Sequence, residues 1–123
     1  MKVARFWVAL LIGLVSPPLF ADDPLVIEIR LGSYYIKPDK ITVKVGQPVT
    51  LKIINESKMV SHDLIITAPE VGIDVRVEVR AGKTTEANFT PGKAGVYGMA
   101  CDKKSLFTSH KEKGMKGVLE VVE

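Results

Sequence analysis

Ile73-Asp-Val-Arg-Val-Glu-Val-Arg80 alternates apolar and charged residues over eight positions. A period of two places every second side chain on one face of an extended chain. The stretch therefore reads as a β-strand with one face toward a core and one toward water. Ala81-Gly82 turns the chain after it. Working outward, similar short segments recur on both sides. Leu25–Arg30, Ile41–Val45, Val49–Ile54 and His62–Thr67 precede it, and Thr85–Phe89, Val96–Cys101 and Val118–Val122 follow. Gly46-Gln-Pro48 and Thr90-Pro-Gly92 punctuate the series. About eight strands at regular spacing, with no convincing helix, repeat or low-complexity tract, predict an all-β fold. The expected architecture is an antiparallel Greek-key β-sandwich.

The first 21 residues read differently. Lys2 and Arg5 precede an apolar run from Phe6 to Val15, broken only by Gly13, and Ser16-Pro-Pro-Leu-Phe-Ala21 leads into Asp22-Asp23. This order is that of a secretory signal peptide cut after Ala21, although Leu19 is larger than the residue usually found three positions before a cut. The run is too short to span a bilayer, and Pro17-Pro18 ends it. The expected organisation is a signal peptide at 1–21 and one domain at 22–123, exported to a periplasm with no stable membrane insertion. Removal of Lys2 and Arg5 leaves 15 basic against 14 acidic residues, a net charge of +1. That balance gives no reason to expect a nucleic-acid partner. The domain is expected to be a monomer.

Cys101 is the sole cysteine, so no internal disulfide forms. It opens Cys101-Asp-Lys-Lys-Ser-Leu-Phe-Thr-Ser-His110-Lys-Glu-Lys-Gly-Met115-Lys-Gly117, which sets a thiol, an imidazole and a thioether within fifteen residues. Residues 102–116 also form the one long interval late in the chain without strand character, and such loops are commonly functional. Soft sulfur ligands with imidazole select copper over hard cations. Two imidazoles, a thiolate and a weak axial thioether make a mononuclear type 1 copper site, and His62 is the only other histidine. Each residue alone has a plainer reading. Cys101 is a small core residue, His62 a strand-edge residue, His110 a solvated loop residue, and Met115, Met59 and Met99 core filler. The joint pattern, with no histidine or cysteine left over, favours His62, Cys101, His110 and Met115 as metal ligands. The sequons Asn55-Glu-Ser57 and Asn88-Phe-Thr90 carry little weight. Tyr34-Tyr35 is open between an interface and simple packing.

The domain resembles the cupredoxins, the family of plastocyanin and azurin. The resemblance runs through Lys40-Ile-Thr-Val-Lys-Val-Gly46, Val49-Thr-Leu-Lys-Ile-Ile-Asn55, Ser61-His62 and Pro91-Gly-Lys-Ala-Gly-Val-Tyr97. It continues to Cys101, His110, Met115 and Gly117. The spacing C-x8-H-x4-M-x-G is similar to the type 1 site of copper nitrite reductases, whereas plastocyanin-like proteins have a shorter cysteine-to-histidine gap. In those reductases a histidine beside the ligand cysteine holds a second, catalytic copper. Here the neighbours are Ala100 and Asp102, and both histidines are taken. The binuclear domains of oxidase subunit II and nitrous oxide reductase need C-x3-C-x3-H-x2-M. Ser105, Ser109 and Glu112 stand at the second cysteine, the histidine and the methionine positions.

What the resemblance implies is a one-electron carrier with one copper ion, not an enzyme. Its partners would be redox proteins such as c-type cytochromes or a terminal reductase or oxidase. The loop histidine of cupredoxins is the typical electron exit. Lys103, Lys104, Lys111, Lys113 and Lys116 would ring it with positive charge, with Leu106 and Phe107 as apolar contact, suiting an acidic partner. The alternative is a periplasmic copper-binding or delivery protein. Few methionines and no histidine-rich tract argue against it.

Overall fold

The computed structural model describes residues 23–102 and 115–123. Among the described residues nine strands form two packed sheets. They are β1 (Leu25–Gly32), β2 (Tyr35–Lys37), β3 (Lys40–Lys44), β4 (Val49–Asn55), β5 (His62–Ala68), β6 (Ile73–Val79), β7 (Thr84–Phe89), β8 (Gly95–Ala100) and β9 (Lys116–Val122). One sheet runs β2-β1-β4-β7 and the other β3-β9-β8-β5-β6. The only helical element among the described residues is a single 3-10 turn at Pro69–Val71. The expected all-β sandwich is therefore the fold.

The alternation read in 73–80 is the burial pattern of β6. Ile73, Val75 and Val79 are buried, while Asp74, Arg76 and Glu78 face water. The same logic organises β3 and β4, whose odd-numbered positions turn inward. Ile29, Leu31, Leu51 and Ile53 from the first sheet meet Leu64, Ile66, Ile73 and Leu119 from the second, all fully buried. Each such side chain contributes on the order of 1.5–3 kcal/mol by leaving water. Gly82 makes the turn after β6 with φ 73°, a left-handed conformation that costs glycine nothing, and Lys83 N–H closes it onto Arg80 O at 2.9 Å.

Two expectations need correction. First, β2 is a ninth strand, pairing antiparallel with β1 through Arg30↔Lys37, Leu31↔Ile36 and Gly32↔Tyr35. Three residues are too few for alternation to show. Second, the sandwich is mixed rather than antiparallel. β1 runs parallel to β4 and β3 parallel to β9. The chain leaves the first sheet after β2, places β3 in the second, and returns for β4. A strand that rejoins its sheet through such a crossover can lie parallel to its neighbour.

The topology sets His62, Cys101 and Met115 at one end of the sandwich. His62 is the first residue of β5, Cys101 directly follows β8, and Met115 directly precedes β9. Between β8 and β9 six residue pairs are in register. Between β5 and β8 the only pair is Ile65↔Ala100. The seam between the strand of His62 and the strand of Cys101 therefore has little ladder to hold it.

Candidate metal centre

His62 and Cys101 face each other across that seam. His62 Nδ1 lies 3.9 Å from Cys101 Sγ, and both residues are buried. Alternation explains the direction of the imidazole. His62 shares its face of β5 with Leu64 and Ile66, which are fully buried. Met115 is also fully buried, and its carbonyl accepts the N–H of Cys101 at 3.1 Å. Thiol, imidazole and the thioether-bearing residue thus gather at one pole. His110, the fourth residue expected there, lies outside the described residues. So do Lys103, Lys104, Lys111, Lys113, Leu106 and Phe107, and also Ser105, Ser109 and Glu112. Lys116 is described and exposed on β9.

The donor set fits copper. A buried thiol beside an imidazole, with a methionine hydrogen-bonded through its main chain to the cysteine, is a soft, mixed S/N environment. Among the described residues no group of three or more His, Cys, Asp and Glu comes together. A metal at this pole would therefore draw on Met115 and on a donor outside the described residues.

Main-chain contacts fix the sulfur. Asp63 N–H donates to Cys101 Sγ at 3.4 Å, and Asp63 Oδ1 accepts the N–H of Asp102 at 2.7 Å. One residue beside His62 therefore grips both the Cys101 sulfur and the main chain just after it. It does so just beyond the single bridge pair of the seam. Gly117 serves the other side. A Cβ there would sit 2.5 Å from Asp39 O and 2.9 Å from Met99 Cε, so only glycine lets β9 close against residue 39. Val118 N–H completes that contact by donating to Asp39 O at 2.8 Å. Met99 is buried core, as expected.

Met59 is not. It is 91% exposed in the loop joining β4 to β5. That loop is tied down by polar contacts rather than by apolar packing. Ser57 Oγ accepts Val60 N–H at 3.1 Å, and Glu56 N–H donates to Leu31 O at 2.7 Å. Asn55 at its root is 1% exposed and hydrogen-bonded through its carboxamide, so the sequon at 55–57 is closed to modification in the folded protein. Asn88 is exposed.

Tyr35 finds its place in this loop's anchorage. Its hydroxyl donates to Glu56 Oε1, and Glu56 Oε2 accepts Arg30 Nη1 at 3.0 Å. Arg30 Nη2 also reaches Glu28 at 2.8 Å, and Lys37 Nζ stands 4.6 Å from the centre of the Tyr35 ring. The hydrogen bond from Tyr35, followed by that from Arg30, holds the Glu56 carboxyl below its ordinary value. A depressed carboxyl stabilises the fold above the ordinary glutamate value and loses that contribution as pH falls through the folded one. The Tm gap between wild type and Glu56→Gln is therefore expected to be open at neutral pH and to close in acid. Calorimetric Tm against pH for both proteins checks this. The group is solvent-exposed, and the gap should be small and shrink with salt.

Asp63 was not among the residues singled out by sequence, and Asn55 stood out only as part of a sequon and at the end of a strand motif. Asn55 did leave a trace, because it continues the inward face of Val49, Leu51 and Ile53 with a polar residue.

A protein-family model described as a cupredoxin-like domain matches residues 4–121. No curated protein matches the sequence. Solved structures that share the fold include three copper proteins. The blue copper protein auracyanin A of Chloroflexus aurantiacus aligns over 80% of this chain and 99% of its own, at 23% identity and a TM-score of 0.63. Auracyanin of Roseiflexus castenholzii aligns over 85% of this chain and 100% of its own, at 21% identity and a TM-score of 0.65. The copper nitrite reductase of Nitrosomonas europaea aligns over 81% of this chain but 42% of its own, at 18% identity and a TM-score of 0.65.

Proposed function

This chain belongs to the cupredoxin-like family, and from that premise we propose that it is an exported one-electron carrier with a mononuclear type 1 copper site. The proposed ligands are His62, Cys101, His110 and Met115. The observation that carries the reading is the buried pair of Cys101 Sγ and His62 Nδ1, 3.9 Å apart at the ends of neighbouring strands. A lone cysteine in an exported protein is a liability unless something covers it. Here an imidazole faces it, and solvent is excluded from both.

A bound copper ion would supply a one-electron couple. The chain's own residues would keep the site rigid while the charge changes. His62 is held by β5, Cys101 by the Met115 carbonyl and the Asp63 N–H. Cys101 would act as thiolate, the form that ligates metals. Burial keeps water from competing for a ligand position. The chain is read as a carrier rather than an enzyme because Ala100 and Asp102 flank Cys101, and both histidines are committed.

The proposed partners are redox proteins, c-type cytochromes or a terminal reductase or oxidase, met in a periplasm. The lysines that follow Cys101 in sequence would favour acidic partner surfaces. Export rests on residues 1–21. Among the described residues no helix is long and apolar enough to cross a membrane.

The deciding experiment is a visible and electron-paramagnetic-resonance spectrum of the copper(II)-loaded protein, followed by voltammetry. An intense thiolate-to-copper band and a reversible one-electron couple are expected. A colourless protein that takes only Cu(I), and yields it to a weak chelator, would replace the carrier by a delivery protein.

A further inference from the structure

Among the described residues two polar side chains are buried, His62 and Asn55, each 1% exposed. Asn55 has no place in the proposed ligand set. It ends β4 in the four-stranded sheet, whereas His62 opens β5 in the five-stranded sheet. Its carboxamide crosses between them. Nδ2 donates to the carbonyls of Val60 and Val79, each at 2.9 Å, and Oδ1 accepts Ser57 N–H at 2.8 Å. Both amide hydrogens are thereby used. Asn55 is itself anchored, since its N–H donates to Lys83 O at 2.9 Å.

The partners are what give this arrangement meaning. Val60 lies two residues before His62. Val79 is the residue opposite His62 in the β5–β6 ladder. One buried amide therefore holds the main chain on two sides of the imidazole residue. A residue serving only to fill the core here would be apolar, as Leu51 and Ile53 are on the same face. A leucine would fill similar space but leave the Val60 and Val79 carbonyls and the Ser57 N–H without this partner. Buried polar groups left so are costly, and a network is worth having only when it is fully satisfied.

We propose that Asn55 is a positioning residue for the metal centre. Its carboxamide fixes His62 against Cys101 by clamping the loop before His62 and the strand opposite it. Groups of this kind orient ligands without touching the metal. For its optical readout the inference rests on the copper reading above. It also has a copper-free readout, so the two can fail separately.

The test compares Asn55→Ser and Asn55→Leu with Leu51→Ala, a fully buried truncation on the same strand. In copper-free protein, nuclear magnetic resonance follows the His62 ring signals and the hydrogen exchange of the amides at 60–62. The Asn55 variants are expected to shift the ring signals and speed that exchange at least about tenfold, following the loss of the clamp. Leu51→Ala should lower Tm while leaving the His62 signals in place. After loading with copper(II), Asn55→Ser should change the ratio of the thiolate-to-copper bands and speed copper loss about 10-fold or more. Should Asn55→Leu fail to fold, Asn55→Ser decides alone. Should the wild type show no thiolate band, the carrier reading falls, and the copper-free signals decide this inference. Asn55 variants that melt early, like Leu51→Ala, but keep the wild-type His62 signals and band ratio would overturn it.

Discussion

Cys101→Ser is expected to abolish the visible absorption of the copper-loaded protein and its reversible couple. The absorption belongs to charge transfer from a thiolate, and this chain has one cysteine to supply it. A hydroxyl does not ionise at neutral pH and is a poor ligand for soft Cu(I). Affinity should fall by more than the 10–100-fold typical of changes outside the ligand shell. The copper-free fold should respond differently. Cys101 is fully buried, so serine places a hydroxyl out of water, with His62 Nδ1 and the Asp63 N–H as its polar neighbours. A cost of about 1–3 kcal/mol is expected, less if the hydroxyl bonds to His62. Copper titration, absorption and denaturant unfolding of both proteins separate the two effects. Retained colour in Cys101→Ser would remove the thiolate from the site. A large loss of copper-free stability with no change in copper binding would return Cys101 to the role of core filler.

The strands and the site were legible to different depths, for physical reasons. The alternation in 73–80 reports burial directly, and β6 followed it to within one residue. Partner choice leaves no such mark. Nothing in Leu25–Arg30 or Val49–Ile54 shows that they lie parallel, because the inward face of a strand is the same whichever way its neighbour runs. β2 is too short for periodicity to register. Cys101, His62 and Met115 were readable from residue chemistry and order, and the fold brings these three to one pole. His110 remains an expectation resting on spacing. The supporting groups escaped notice because their meaning is tertiary. Asp63 and Asp102 are ordinary polar residues until β5 and β8 set them side by side. Met59 was misread because an apolar side chain in a loop was assigned to the core. The loop around it is held by Asn55 and Ser57 instead, which leaves Met59 in water.

Asp63→Ala should cost more at the metal centre than in the fold. The side chain is only half-buried, and its carboxylate accepts Asp102 N–H at 2.7 Å. Losing a hydrogen bond of this kind lowers stability by about 1–3 kcal/mol. Its position is what raises the stakes. Only Ile65↔Ala100 pairs β5 with β8, so releasing the residue 102 main chain loosens Cys101 against His62, while the β8–β9 ladder and the Met115 carbonyl still hold it from the other side. The backbone bond from Asp63 N–H to Cys101 Sγ, at 3.4 Å, would go with it. That bond lowers the electron density on sulfur, and its loss should move the reduction potential downward. Removing the negative charge of the carboxylate pushes the potential upward. The two effects can be parted. Asp63→Asn keeps an acceptor for Asp102 and drops the charge, so it should raise the potential and retain copper at nearly the wild-type rate. Asp63→Ala should lose copper about 10–100 times faster. Voltammetry and chelator-driven copper release on the two variants measure both quantities. Equal release rates for Asp63→Ala and wild type would mean that the seam between β5 and β8 is held by something other than this clamp.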